Sequence, residues 1–320
     1  MLKLTTAALT ACMVIAFAGG VYGQNFPVKP IRLITAEAGG GLDFAARLIA
    51  QSLSPVLGEQ VVVDNRGGGS GSIAAQAVAK APADGYTLLF YSSSFWLLPF
   101  MRDNMPYDPV TDFVPITLAV MSPNVVVVHP SVAANSVKEL IALAKARPGE
   151  LNYASSGGGS STNLAAELLK SMASVDIVHV PYTGGGPAVN ALVGGQVQLM
   201  IQIAPSVMPQ VKAGRLRALA VTSAQPSPLV PGLPTVAATL PGYESVLILG
   251  VYAPAKTPPA IVTKLNEKLV QILNVPDVKA KFFVAGSEVI GSSSAVATST
   301  MMSERARMGK IIKQVGIRAD

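Results

Sequence analysis

The sequence predicts an α/β protein of two similar units, each a sheet rich in parallel strands with helices on its faces. Three observations predict it. Short apolar strands alternate with amphipathic helical segments, and the alternation restarts midway along the chain. Glycine-rich turns join several strands to the helices that follow them. The chain has 320 residues, half of them hydrophobic and 13% charged, which is enough for two cores without disulfides or a structural metal.

The N-terminus reads as an address. Lys3 precedes an uncharged apolar run over residues 4–18, and small residues follow up to Gly23. This is a secretory signal peptide, residues 1–23, with cleavage expected after Gly23. The competing readings are a buried first helix and a lipobox at Leu9-Thr10-Ala11-Cys12. The apolar run continues past Cys12, where a lipoprotein turns polar. Mean hydropathy is +0.46, yet beyond the leader no apolar stretch approaches the ~18 residues that span a bilayer.

In the first unit, residues 31–34 form a buried strand that runs into Gly39, Gly40 and Gly41. A helix follows, with Ala45, Leu48, Ile49 and Leu53 at helical spacing. A strand at 61–63 leads to the loop 67–72 and a helix over 73–80. The turn Pro82-Ala83-Asp84-Gly85 precedes a strand at 86–91.

The pattern resumes with a strand at 125–128. Ser136 and Glu139 then form a capping box for a helix on Val137, Leu140, Ile141 and Ala144. A strand at 151–153, the loop 155–162 and a helix over 164–172 come next. The strand at 177–180 runs into Gly184-Gly185-Gly186-Pro187 and a helix ending at Val193. Strands at 197–203 and 216–222 flank a helix closed by Gly214. After a proline-rich stretch and a strand at 246–252, the tail carries two amphipathic helices. One buries Ile261, Leu265, Leu269 and Leu273, and the other Met301, Met308, Ile312 and Val315. A tail of this kind commonly packs back on the first unit.

Catalytic chemistry is poorly supplied. One Cys and two His exclude a disulfide framework and any Cys-based zinc site. There is no P-loop and no Gly-x-Ser-x-Gly elbow, and His129 and His179 both read as structural. Gly69-x-Gly71-x-x-Ala74 is a degenerate dinucleotide fingerprint, but the next strand ends in serines without the acid that holds a ribose. A Rossmann-like nucleotide-dependent oxidoreductase is therefore the alternative, and no cofactor is expected. Nucleic-acid binding lacks a basic run and an aromatic platform. The net charge of +6 is compatible with anionic ligands.

Binding is better supplied. Four glycine-rich loops sit between a strand and a helix, where free N–H groups and a partial positive charge favour anions. The serine run Ser92, Ser93 and Ser94 ends one strand. Ser155, Ser156, Gly157, Ser160, Ser161 and Thr162 belong to a hydroxyl-rich loop in the other unit, and Thr183 and Gln202 end strands beside it. Neutral donors suit a carboxylate that must bind and then leave. Asp43 reads as a cap of the first helix or a ligand contact, and Phe95 and Trp96 as core or as a lid.

Taken in order, these residues resemble a known family. Pro30-Ile31-Arg32-Leu33-Ile34 with Ala38-Gly39-Gly40-Gly41-x-Asp43 is similar to the start of the Bug family, the solute receptors of tripartite tricarboxylate transporters. So are Val61-Val62-Val63-Asp64-Asn65-Arg66, Ala83-Asp84-Gly85-Tyr86-Thr87-Leu88-Leu89 and Leu151-Asn152-Tyr153-Ala154-Ser155. The likeness continues through Val180-Pro181-Tyr182, Leu192-Val193-Gly194-Gly195-Gln196-Val197 and Lys212-Ala213-Gly214-Arg215-Leu216-Arg217, up to Val315-Gly316-Ile317. It covers essentially the whole chain after the leader.

The resemblance implies a two-lobed, type II periplasmic binding protein of Venus-flytrap form that is not an enzyme. It implies lobes at 24–121 plus 246–320 and at 122–245, with strands near 117–120 and 247–252 crossing between them. A small carboxylate would be clamped by the loops 38–43, including Leu42, and 155–162. Glu37, Phe95, Trp96 and Gln202 depart from the family pattern where the far end of the ligand is read. The expected partners are inner-membrane transporter subunits or a sensory protein, and the expected receptor is monomeric and periplasmic.

Overall fold

A computed structural model of the chain describes residues 26–35, 38–39, 41–68 and 71–319. The leader with Cys12, and also Glu37, Gly40 and Gly69, lie outside the described residues.

The first segments follow the expected grammar. Strand β1 (Ile31–Thr35) leads to helix α1 (Gly41–Leu57), then β2 (Val61–Asn65), α2 (Ser72–Ala79) and β3 (Thr87–Ser92). β1 pairs in parallel with both β2 and β3. Side chains alternate across the strands, as a period of two requires. Leu88 and Phe90 enter one core with Ile49 and Leu53 of α1, whereas Leu89 and Tyr91 enter another with Ala74, Ala75 and Val78 of α2.

After β3 the chain makes a short helix, α3 (Ser94–Leu97), continued by a 3₁₀ turn at Leu98–Phe100. It then enters β4 (Phe113–Val128), a strand of 16 residues. Residue pattern alone identified only its last four residues. Pro115 and Pro123 interrupt the rest; the register shifts after Pro115, a bulge of the kind that tolerates a proline without an N–H, and again after Leu118.

The second set of elements comprises α4 (Val137–Ala146), β5 (Asn152–Ser155), α5 (Ser161–Ala173), β6 (Val178–Pro181), α6 (Gly185–Val193), β7 (Leu199–Ile203), α7 (Ala204–Lys212) and β8 (Arg217–Val221). The Ser136 hydroxyl caps α4 by accepting from Glu139 N, and the Glu139 carboxylate accepts from Asn135 N at 2.7 Å. The last elements are β9 (Val246–Pro254), α8 (Pro259–Leu273), α9 (Pro276–Val284), β10 (Glu288–Val289) and α10 (Ser294–Val315). The tail therefore holds a third helix, α9, in addition to the two expected. Val315 is 40% exposed rather than part of the buried stripe, because it lies at the fraying end of α10.

The ten strands of the described residues form one connected sheet in the order β2-β1-β3-β9-β4-β7-β5-β6, with β8 and β10 also on β4. The two ends are parallel and the middle is antiparallel. Residues 113–123 of β4 pair with β9, and residues 124–128 pair with β7 and β8. β4 thus belongs to both halves of the sheet.

The tail packs on both halves. Leu265 and Leu269 of α8 join the core of α1 and β1. α10 begins against Trp96 with Ala297 and Met301, and ends with Met308 and Ile312 in the core of α4, α5 and Tyr153. Leu97, Leu98 and Met101 from the α3 region enter that second core too. Among the described residues no helix is long and apolar enough to cross a membrane.

Candidate functional site

In each half the strand order reverses at a central strand. β1 lies between β2 and β3, and β5 between β6 and β7. Ligands of open α/β sheets bind outside the carboxyl ends of strands at such switch points. Here the ends of β3 and β5 face a common cavity of about 280 Å³.

Ser92 and Ser94 form one wall, with their hydroxyls 2.6 Å apart. Ser156, Gly158, Gly159, Ser160 and Ser161 form the opposite wall, at the N-terminus of α5, a helix of 13 residues. Tyr91, Leu98, Met101, Leu247 and Ala319 supply the apolar surface. No charged side chain lines this cavity among the described residues. Its polar character comes from hydroxyls, backbone N–H groups and the positive end of a helix, a set suited to an anionic group.

The loop 155–160 is held from below. Ser155 and Thr162 are buried and turn away from the cavity. The Ser155 hydroxyl shares a 2.6 Å hydrogen bond with His179 Nε2 and accepts from Gly157 N at 3.2 Å. Thr162 Oγ1 accepts from Ser156 N at 3.0 Å and lies within hydrogen-bond distance of the Ser160 hydroxyl. The Ser160 hydroxyl donates to Gly157 O and caps α5 by accepting from Asn163 N. Gly157, at φ +122°, is the bend that these bonds surround.

Beneath this lies a buried polar chain. Lys170 Nζ and the Tyr153 hydroxyl both donate to Glu167 Oε1, at 2.8 and 2.5 Å. Asn163 Nδ2 donates to the Tyr153 oxygen at 2.7 Å, and Asn163 Oδ1 accepts from Gly159 N at 3.1 Å. Burial and the Glu167 carboxylate push the Tyr153 hydroxyl far above its ordinary value, so it stays a donor. The His179 ring stacks on Tyr153 at 4.8 Å, and burial lowers its pKa, which keeps the imidazole neutral near pH 7.

The remaining candidates fall elsewhere. Ala38, Gly39 and Gly41 are exposed, Leu42 packs against two cores, and none of them lines the cavity. Phe95 is fully buried with its ring 4.8 Å from Tyr252 and 5.4 Å from Phe113, so it is core rather than a lid. Trp96 is equally buried but borders a side cavity of about 30 Å³. Thr183 is exposed beyond β6 and does not line the cavity. Gln202 is buried under the site: Oε1 accepts from Ile203 N, and a Cβ on Gly185 would fall 2.6 Å from Nε2.

Asp43 is consumed by its neighbours. Its carboxylate accepts from Arg47 Nε at 3.0 Å, Gly39 N at 2.9 Å and Asn65 Nδ2 at 2.9 Å. The Arg47 hydrogen bond, then the Gly39 and Asn65 bonds, hold its pKa at about 2. A folded-state pKa below the unfolded ~3.9 contributes stability above pH ~4 that is lost as pH falls toward 2. Urea midpoints between pH 5 and 2 are expected to fall steeply for the wild type and less so for Asp43→Asn. Parallel curves would place the acid sensitivity in other groups.

The fold is matched by known proteins. Residues 45–317 match the family described as Tripartite tricarboxylate transporter family receptor. The chain belongs to this family. A protein of R. palustris solved with adipate is 39% identical with a TM-score of 0.78, covering 92% of this chain and 99% of its own. The periplasmic binding protein BugD is 31% identical with a TM-score of 0.75, covering 92% of this chain and 100% of its own. MatC from Rhodopseudomonas palustris, with bound malate, is 29% identical with a TM-score of 0.74, covering 90% and 100%.

This tripartite tricarboxylate transporter receptor thus has the two-lobed α/β fold of type II periplasmic binding proteins, and it is a solute-binding protein rather than an enzyme. The dinucleotide alternative falls with that assignment. The glycine that suggested it has a packing role: a Cβ on Gly71, at φ +92°, would overlap the Tyr91 ring. Sequence reasoning missed Met101, Leu247 and Ala319, and also Glu304, Arg307 and Met308, which border the side cavity. None of these lies in a strand-to-helix loop, and the apolar spacing of α10 marked Met308 only as core.

Proposed function

We propose that this receptor captures a small organic carboxylate between its lobes and delivers it to the membrane subunits of a tripartite transporter. The observation that carries this is the cavity of about 280 Å³ walled by serine hydroxyls and the N-terminus of α5. Its volume suits a compact organic acid, and the adipate- and malate-bound relatives guide the choice of probe. On this reading the leader 1–23 directs the receptor to the periplasm.

The lobes would be 24–121 with 246–320, and 122–245. The change of pairing along β4 supports a hinge near Pro123 and Asn124. There Asn124 N donates to the Thr222 hydroxyl and Ser245 N to Thr222 O, which ties the two crossings together. Closure would bury the ligand, and the crossings would absorb the rotation.

Thermal unfolding of the secreted chain tests the reading against adipate, malate, citrate, benzoate, amino acids and NAD. A ligand at 100 times its Kd adds ~2.7 kcal/mol, roughly 4 °C for a chain of this size. A rise with one carboxylate class, together with compaction in X-ray scattering, is the expected result. A rise with NAD alone, or no rise with any carboxylate, would overturn it.

A further inference from the structure

The chain has two histidines. His129 bonds to Ser131 in a turn packed against Gly195. His179 instead stands behind the cavity wall, half-buried on β6 with its ring 16° from parallel to that of Tyr153. Its Nε2 is 2.6 Å from Ser155 Oγ, and that hydroxyl accepts from Gly157 N at 3.2 Å and reaches Gly157 O at 3.1 Å. Gly157 is the bend between Ser156 and Gly158, which both line the cavity. His179 is thus one hydroxyl removed from the backbone that carries the wall.

The titratable and charged groups facing the ring are Tyr153 of β5 and Glu167 and Lys170 of α5. Glu167 and Lys170 pair at 2.8 Å, so their opposite charges largely offset at the ring, and Tyr153 keeps its proton. An anion held at Ser156 and Ser160 would be the uncompensated charge nearby. We infer that His179 is a positioning residue of this anion site: through Ser155 it holds the bend at Gly157, and by taking up a proton with the anion it makes capture tighter as the surroundings acidify. The inference rests on the carboxylate-receptor reading above and adds to it the regulation of that site by pH. Proton and anion act reciprocally, so whatever the anion adds to the ring's proton affinity, the proton adds to anion affinity. Burial keeps the ring neutral near pH 7, which places the gain below neutrality. A protonated ring can only donate; the Ser155 proton then points to Gly157 O, and the loop keeps its bonds.

The test is isothermal titration of the secreted chain with adipate, malate and benzoate between pH 8 and pH 6. Wild-type affinity for whichever acid binds is expected to rise about two- to fivefold over that range. Protonation of the acid itself would remove charge and act in the opposite direction. His179→Gln keeps a donor for Ser155 but does not titrate, so it should bind near wild-type strength at pH 8 and lose the rise.

His179→Phe keeps the stacking on Tyr153 without the hydrogen bond, and it should lose about 5- to 30-fold at pH 8. Ser155→Ala breaks the same link from the other side, so the double variant should lose no more than the weaker-binding single. Should His179→Phe fail to fold, the pH profiles of wild type and His179→Gln still decide. Equal profiles in those two would overturn the inference, as would full affinity in both His179→Phe and Ser155→Ala, and either result leaves the receptor reading intact. Failure of every acid to bind the wild type would overturn the receptor reading, and the inference with it.

Discussion

Replacing Gly159 by valine is expected to weaken ligand capture about 10- to 100-fold while the protein still folds. Gly159 sits at φ +72°, a conformation that strongly disfavours β-branched residues. A Cβ there would lie 2.9 Å from Met101 Sδ and 3.0 Å from the Ala319 Cβ. Those two residues reach the loop from the α3 region and from the chain's end, so the bulk would wedge α5 away from the surfaces facing it across the cavity. Overpacking of this kind costs about 1–3 kcal/mol, which corresponds to roughly tenfold to hundredfold in affinity if it opposes closure. Calorimetry with the best carboxylate reads the loss, and X-ray scattering should find the variant less compact when ligand is present. Met101→Ala in the same chain is expected to restore part of the affinity by clearing the space. Unchanged affinity in Gly159→Val would mean that this contact does not form in the liganded state.

The second large effect is on stability. Glu167 is 5% exposed and accepts from both Lys170 and Tyr153. Glu167→Ala leaves a largely buried ammonium and a buried hydroxyl without their acceptor. Breaking a buried pair in this way costs about 3–5 kcal/mol, so the melting temperature should fall by on the order of 10 °C. The chain of bonds continues through Asn163 to Gly159 N, so ligand affinity should fall as well. Glu167→Gln keeps an oxygen for Tyr153 and is expected to recover about half of the loss. A drop of under ~3 °C in Glu167→Ala would show that water replaces the carboxylate at little cost.

The serines that line the cavity were legible because hydroxyl residues cluster there between a strand and a helix, whereas the described residues of the glycine loop 38–43, chosen on the same ground, do not line it. Ser156, Ser160, Ser161, Ser92 and Ser94 all reach the cavity. Their roles were less legible. Ser155 and Thr162 carry the same hydroxyls in the same loop, yet they build its underside, because β5 and α5 turn those two positions inward. Asp43 illustrates the same limit: its spacing from Gly39 and Arg47 is visible in sequence, but Asn65 arrives from β2, 22 residues later. α9 escaped because it buries only Val278 and Phe282 in nine residues, too weak a stripe to read.

By itself the sequence determined the α/β class, the two-unit organisation and the family. These follow from local pattern: alternation along strands, 3.6-residue periodicity along helices, glycine where the backbone needs positive φ, and motifs that recur in order. Only the tertiary structure decided which surfaces meet. β4 runs through both halves of the sheet, and α10 crosses from one core to another over 22 residues. That crossing brings Arg307 to the side cavity from a helix whose own pattern marks only its buried side, and Ala319, beyond the helix end, lines the main cavity. A helix's apolar stripe records that it will be covered, but the covering partner lies far away in sequence. Arg307 therefore reaches the side cavity only when the halves pack together.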